Sequence, residues 1–285
     1  MRVGGRESVE SRQAQIASFV GLKGYTRLSE LADLTGVSEL TVRRDLKSLH
    51  ERSLLRVVPG GATADAIGAS MVQFKKEVSV RQAEKQAIGR AASALVHDGE
   101  TVLLDGGTTT WYVAEALRGR RIQVVTNSLA AADLLGHEKD IQVILLGGTM
   151  YPDTGLTLGP LCERQLRSLR PAVLFMGVGG ITPEGFTNSN IHLVQTERVM
   201  METAGRCVVV ADSSKFGRRD LARLAGLGGA DVVVTDDGLA ASWRRAVTRR
   251  GVELVVVHPE VRNGNGNGNG NGNGNGNGKG RGHGA

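Results

Sequence analysis

Seven short runs of β-branched and other apolar residues recur along the last two thirds of this chain. They are 101–105 (Thr-Val-Leu-Leu-Asp), 122–126 (Ile-Gln-Val-Val-Thr), 141–146 (Ile-Gln-Val-Ile-Leu-Leu), 172–178, 207–211, 231–235 and 252–257. Stretches of helical character lie between most of them, at 83–97, 109–118, 128–135, 191–205, 219–226 and 239–250. Strands this continuously apolar have to be covered on both faces, and strands separated by helices pair in parallel. The expectation for 81–258 is therefore a doubly wound, mostly parallel α/β domain. Ligands of such sheets bind in crevices outside the carboxyl ends of the strands.

Four of those ends are polar. The first strand closes in Asp105-Gly106-Gly107-Thr108-Thr109-Thr110 and runs straight into a helix. Glycines let a phosphate approach the backbone, the free N–H groups of a helix start favour an anion, and hydroxyls add donors. The second strand ends in Thr126-Asn127-Ser128 and the third in Gly147-Gly148-Thr149. The fifth ends in Asp212-Ser213-Ser214-Lys215-Phe216-Gly217, with a carboxylate and a lysine one turn apart. Glycine and threonine also build βα turns and cap helices with no ligand at all, but four such loops on one sheet edge suit a phosphate plus a polyol. None is a Walker loop or a Gly-x-Gly-x-x-Gly fingerprint, so a nucleotide is not favoured. Arg81 and Lys85 either add positive charge to the pocket or form a solvated helix face.

The first 66 residues have another character. Ile16, Phe19 and Val20 make an apolar stripe ahead of the helix-stopping Gly21 and Gly24. Tyr25-Thr26-Arg27-Leu28 is long enough only for an edge strand, and Ser29–Gly36 reads as a short capped helix closed by glycine. A serine, Ser38, opens the next helix and can accept from the free N–H groups of its first turn. Val42, Leu46 and Leu49 then define one apolar face, while Thr41, Arg44, Lys47 and Ser48 take the other, with Arg43 on its flank. Arginine on such a face can take guanine bidentately in a major groove, and its neighbours can hold phosphates. The β-prone Leu54–Val58 run stops at Pro59-Gly60-Gly61-Ala62 and completes a winged helix-turn-helix. Residues 1–66 hold ten Lys/Arg against eight Asp/Glu. That surplus argues for localised contacts and against a non-specific binder of any duplex.

The string Val37-Ser38-x-x-Thr41-Val42-Arg43-Arg44-Asp45-Leu46, with Leu49, Arg56 and Gly60-Gly61-Ala62, resembles the N-terminal signature of DeoR-type bacterial transcriptional regulators. The resemblance continues through Lys85-x-x-Ile88, Asp105-x-Gly107-Thr108-Thr109, Thr126-Asn127-Ser128, Gly147-Gly148 and Asp212–Gly217, covering roughly residues 10–237. It implies Ser38, Thr41, Arg43 and Arg44 at an operator, with Arg56 on the wing. It also implies an effector domain like ribose-5-phosphate isomerase and CoA-transferase folds that senses phosphorylated sugars. There Asp105, Thr108, Thr109 and Thr110 would hold phosphate or adjacent hydroxyls, and Asp212 and Lys215 would face the sugar. Two places depart from the common pattern. Pro59 stands where a histidine or basic residue is usual, and the helix around Gln195-Thr196-Glu197-Arg198 is poorer in acid and lysine.

The expected organisation is a DNA-binding domain at 8–66, a linker at 67–80, the effector domain at 81–258 and a tail at 259–285. The tail carries eight Asn-Gly pairs. With no flanking strands to make hairpins of them, it is expected to be disordered. No apolar run reaches the ~18–20 residues of a membrane span. The N-terminus lacks an apolar signal core, and Cys162 and Cys207 read as buried free thiols, so a cytoplasmic location is expected. The six histidines have no metal-ligand spacing, and no metal or cofactor is expected. The favoured function is a regulator of a sugar-metabolism operon, a repressor working as a dimer or tetramer on double-stranded operator DNA and answering to a sugar phosphate. The alternative is a sugar-phosphate isomerase or transferase with an accessory helical domain, using Asp105, Asp212 and Lys215 as acid–base groups.

Overall fold

The structure is a computed structural model that describes residues 8–64, 74 and 76–260. Most of the expected linker and the Asn-Gly tail from residue 261 lie outside the described residues.

The N-terminal part holds α1 (Val9–Lys23), β1 (Thr26–Arg27), α2 (Leu28–Thr35), α3 (Glu39–Glu51), β2 (Leu55–Val58) and β3 (Gly61–Ala64). The three strands form a sheet in the order β1-β3-β2, so the short first strand is an edge strand, as its length requires. Ile16 and Val20 of α1, Leu31 of α2, Val42, Leu46 and Leu49 of α3, and Leu55 and Ala62 of the hairpin share one core. Helix α1 runs through Gly21 and stops only at Gly24, whose φ of 79° an L side chain resists. Helix α2 starts one residue before the expected Ser29, with no side-chain cap. Gly61 is fixed by close packing, since a Cβ there would sit 2.1 Å from the Thr26 carbonyl oxygen.

One residue on the apolar side of α3 is an acid. Asp45 is 3 % exposed; Arg12 Nε donates to its Oδ2 at 2.7 Å and Gln13 Nε2 to its Oδ1 at 3.1 Å. The Gln13 side chain also accepts from Arg52 Nη1 at 3.2 Å. These bonds clamp α1 to the middle and the C-terminal end of α3 and set the angle at which α3 is presented.

From α4 (Gln82–Ser93) onward the chain alternates as its sequence predicts. It passes through β4 (Thr101–Leu104), α5 (Thr108–Ala116), β5 (Ile122–Thr126), α6 (Leu129–Leu135) and β6 (Ile141–Leu145). There follow a hairpin of β7 (Thr149–Tyr151) and β8 (Leu156–Leu158), then α7 (Pro160–Arg167) and β9 (Val173–Met176). Next are β10 (Gly180–Thr182), β11 (Gly185–Asn188), α8 (Ile191–Thr203), β12 (Arg206–Val210) and β13 (Ala222–Ala225). The last elements are β14 (Val232–Asp236), α9 (Ala241–Thr248) and β15 (Glu253–Val257). Seven strands form one parallel sheet in the order β15-β14-β12-β9-β4-β5-β6. Alternate strand residues feed two cores. Val102, Leu104 and Phe175 pack with Ile88 of α4 and Val113 of α5, while Leu103, Leu174 and Met176 pack with Cys162 of α7 and Val194 of α8. Both cysteines are free and buried.

One expected helix is a strand. The 219–226 segment carries apolar residues at helical spacing, yet Leu221 is 82 % exposed and β13 pairs antiparallel with β11. Extended pairing buries Leu224 under the α8 side of the sheet, which one exposed helical turn would not do. Helix α7, which the sequence reading left out, makes the crossover that two parallel strands require.

Removing the clamp tests its role. Asp45→Ala should destabilise the N-terminal domain by about 3 kcal/mol, because it removes the buried carboxylate that the Arg12 guanidinium and the Gln13 amide share. The two tryptophans, Trp111 and Trp243, both lie in the other domain. The measurement is therefore hydrogen exchange of the α1 and α3 amides, expected to speed up while tryptophan fluorescence melts at an unchanged temperature.

Candidate DNA-binding face and effector cleft

Ser38 opens α3 as its cap, its Oγ accepting from the Thr41 amide at 3.3 Å and lying 3.0 Å from Thr41 Oγ1. With the apolar face turned inward, Arg43, Arg44 and Lys47 stand exposed and Thr41 is half-buried. Across from them Arg56 projects from β2, exposed and paired in register with Thr63. A recess of about 440 Å³ between α3 and the wing is lined by Arg43, Lys47, His50, Val57 and Pro59 among others. All six residues expected at DNA thus belong to one helix and its adjoining wing. Proline and a glycine with φ of 79° turn the wing tip at Pro59-Gly60, the preferences of a type II turn.

The sheet order supplies the second site. Strands β4, β5 and β6 run one way from the centre, and β9, β12, β14 and β15 the other. The reversal falls between β4 and β9, the topological switch point where open α/β sheets bind ligands. A cleft of about 600 Å³ opens there. Its lining includes Gly106–Thr109 after β4, Gly177–Gly179 after β9, and Ala211, Asp212, Ser214 and Lys215 after β12.

Helix α5 starts in this cleft without a side-chain cap, behind Gly107 with a φ of 127° that demands glycine. Helices α6 and α8, by contrast, are capped by Ser128 and Asn190. The first-turn N–H groups of α5 are thus open to an anion. The Thr108 and Thr109 hydroxyls make no hydrogen bond, and Lys215 Nζ no ion pair, among the described residues. Asp212 accepts from the Ser214 amide at 3.0 Å, and Arg81 Nε lies 3.1 Å from its Oδ1. That last contact is an ion pair whose N–H is not aligned as a hydrogen bond. Arg81 Nη2 also reaches Ser213 Oγ at 3.0 Å and Asp236 Oδ2 at 3.3 Å, so Arg81 is a cleft residue and not a solvated one. Lys85 is buried, donates to the Glu77 carbonyl at 2.7 Å, and is held below the usual lysine range chiefly by that burial.

The other expected residues do not line the cleft. Thr110 Oγ1 donates to the Gly107 carbonyl at 2.8 Å and shapes the loop from behind. Thr126 Oγ1 donates to the Leu104 carbonyl at 2.7 Å, Asn127 Nδ2 to the Thr157 carbonyl at 3.2 Å, and Ser128 caps α6. Gly147 donates its N–H to Gln165 Oε1, and Gly148 lies against the Leu158 backbone. These two loops are occupied by the β7–β8 hairpin and α7, elements absent from the sequence reading.

Asp105 lies beneath the loop, where burial pushes its carboxyl up to about 7 against the pull of the Gly106 and Gly177 amides. Glu197 of α8, singled out in the sequence only as part of a departure from the common pattern, lines the cleft fully buried; burial, and then the Asp105 charge, hold it well above the carboxylate range. Between about pH 4 and pH 7 the folded protein keeps a proton that an unfolded aspartate has released, so stability falls as pH rises through that window. The thermal midpoint of the ligand-free protein, read by tryptophan fluorescence, should drop from pH 5 to pH 7. Asp105→Asn should flatten the drop, on the order of 2–3 kcal/mol; a midpoint rising over the same range would refute the assignment.

Comparison with known proteins agrees with the two-part architecture. The model of the DeoR-like helix-turn-helix domain matches residues 12–67, and that of the DeoR C terminal sensor domain matches residues 80–237. The chain is 32 % identical to the HTH-type transcriptional regulator YulB of Bacillus subtilis over 87 % of its own length and 97 % of the relative's. It is 30 % identical to the HTH-type transcriptional repressor GlcR of the same organism, over 88 % and 97 %. It is 29 % identical to the glycerol-3-phosphate regulon repressor of Escherichia coli, over 85 % and 97 %. Among solved structures, ribose 5 phosphate isomerase A from Neisseria gonorrhoeae aligns with 49 % of this chain and 54 % of its own at 21 % identity and a TM-score of 0.35, a likeness that carries nothing further. A winged helix with its basic face exposed, a switch-point cleft, and sequence similarity running through both lead to one conclusion: the chain belongs to the DeoR family of DNA-binding transcriptional regulators.

Proposed function

We propose that this regulator is the repressor of a sugar-metabolism operon and that a phosphorylated sugar in the switch-point cleft sets its grip on operator DNA. One observation carries the proposal. Phe74, Glu77 and Val80, from the segment that tethers the DNA-binding domain to α4, form a wall of the cleft. Lys85 and Tyr112 fasten that segment through the Glu77 and Val78 carbonyls. A ligand and the tether therefore share a surface, as effector control requires.

The uncapped start of α5, with Thr108, Thr109 and Lys215, supports a phosphate seat. Two of the similar proteins are named as repressors, one of them of a glycerol-3-phosphate regulon, which supports the same reading. In a dimer or tetramer, ligand binding would change the spacing of paired recognition helices against half-sites about one DNA turn, or a multiple of it, apart. The protein would act in the cytoplasm, where its operator is, and would perform no catalysis. Of the acid–base groups an isomerase would need, Asp212 is tied to Arg81 and Ser214, and Asp105 lies under the loop.

The test is a gel shift with the DNA upstream of its own operon, with and without a panel of sugar phosphates. A specific shift that a sugar phosphate weakens is expected; turnover of a sugar phosphate without any specific shift would overturn the proposal. Arg44→Ala should weaken operator binding by about 10–100-fold, the value of a bidentate base contact, with sugar-phosphate binding unchanged. Thr109→Ala and Lys215→Ala should do the reverse, keeping the shift while raising the effector concentration needed to abolish it by about tenfold.

A further inference from the structure

The phosphate seat is one part of the cleft, and a different chemistry lies beside it. Asp105 lies buried directly beneath the Gly106–Thr109 loop that lines the cleft, and Glu197 lines the cleft from α8. Asp105 is 2 % exposed and Glu197 fully buried. Glu197 Oε1 accepts from Asn188 Nδ2 at 2.7 Å, yet among the described residues its Oε2 has no hydrogen-bond partner, and Asp105 Oδ1 likewise has none. No group of ligands suited to a metal ion occurs among the described residues.

Nor do the described residues provide a cation for this pair. Arg81 is held by Asp212, Asp236 and Glu84, Arg218 by Asp220, and Lys85 by a backbone carbonyl. Lys215 is close enough to act on Lys85, but neither lysine is among the charges that act on Asp105 or Glu197. Two carboxylates buried without a counter-charge are costly, and the protein on its own avoids that cost by retaining a proton. A ligand can avoid it by bringing the positive charge itself. Among the groups that a small phosphorylated polyol carries, a hydroxyl offers one donor and no charge. A protonated amine offers a full charge and three donors, enough for both unpartnered oxygens.

We infer that the Asp105–Glu197 carboxyl pair seats the ammonium group of the effector, which makes the ligand of this cleft an amino sugar phosphate. The inference rests on the sugar-phosphate reading above and narrows it to one class. Phosphate would lie at the start of α5, and the amine beneath the same loop.

Calorimetric titration of the full chain at neutral pH tests this. Glucosamine 6-phosphate and galactosamine 6-phosphate are compared with glucose 6-phosphate, galactose 6-phosphate and N-acetylglucosamine 6-phosphate. At least one amine should bind about tenfold more tightly than its hydroxyl counterpart and than the acetylated sugar. Glu197→Gln, which removes a buried charge and keeps the shape, should bring amine and hydroxyl forms to within about threefold of each other. A hydroxyl or acetylated sugar that binds as tightly as the amines overturns the inference and leaves the sugar-phosphate reading standing. So does a preference that survives Glu197→Gln. If none of the five binds, both readings fall.

Discussion

The reversal of strand order between β4 and β9 is the constraint on which the rest of this molecule depends. Adjacent parallel strands whose crossovers leave in opposite directions cannot have their loops packed against each other, so a gap opens at their carboxyl ends. The polar groups that remain open to a ligand gather at that gap. The uncapped helix start, the free threonine hydroxyls, Glu197 and Lys215 line it, and Asp105 lies just beneath, although they come from positions 105 to 215 of the chain. The cores on either face are ordinary interdigitated layers that hold the gap open.

Much of this was legible in the sequence because strong periodicities report burial. Seven apolar runs became seven parallel strands, and the Val42-Leu46-Leu49 face of α3 went into its core. What escaped detection were residues whose environment is made by distant chain. Thr126, Asn127 and Ser128 have the composition of a ligand loop, but the β7–β8 hairpin covers them, and the four short strands β7, β8, β10 and β11 have too little pattern to be seen. The 219–226 segment misled for the opposite reason, since its apolar residues have helical spacing while its partner β11 lies more than thirty residues away.

Two informative residues share a signal that the sequence did contain. Asp45 falls on the face of α3 defined by Val42, Leu46 and Leu49, and Glu197 falls with Val194 and Met200 on the buried side of α8. A carboxylate at an apolar position of an amphipathic helix has to find a partner or keep a proton. Asp45 found Arg12 and Gln13 and became a clamp. Glu197, which lines the cleft, found one side-chain amide, and its second oxygen is buried without a partner among the described residues. The same sequence oddity thus has a structural outcome in one domain and an unfilled one in the other.

The wall formed by Phe74, Glu77 and Val80 changes where the sensor begins. Sequence similarity to the sensor domain starts at residue 80, and the first sheet-covering helix starts at Gln82. Physically, the cleft's enclosure starts earlier, inside what the sequence presents as a connector. A chimera cut at residue 80 would graft a sensor with one side missing, and a foreign connector would become part of its binding pocket. In this molecule the connector belongs to the cleft, and transplanting the cleft whole means transplanting the tether with it.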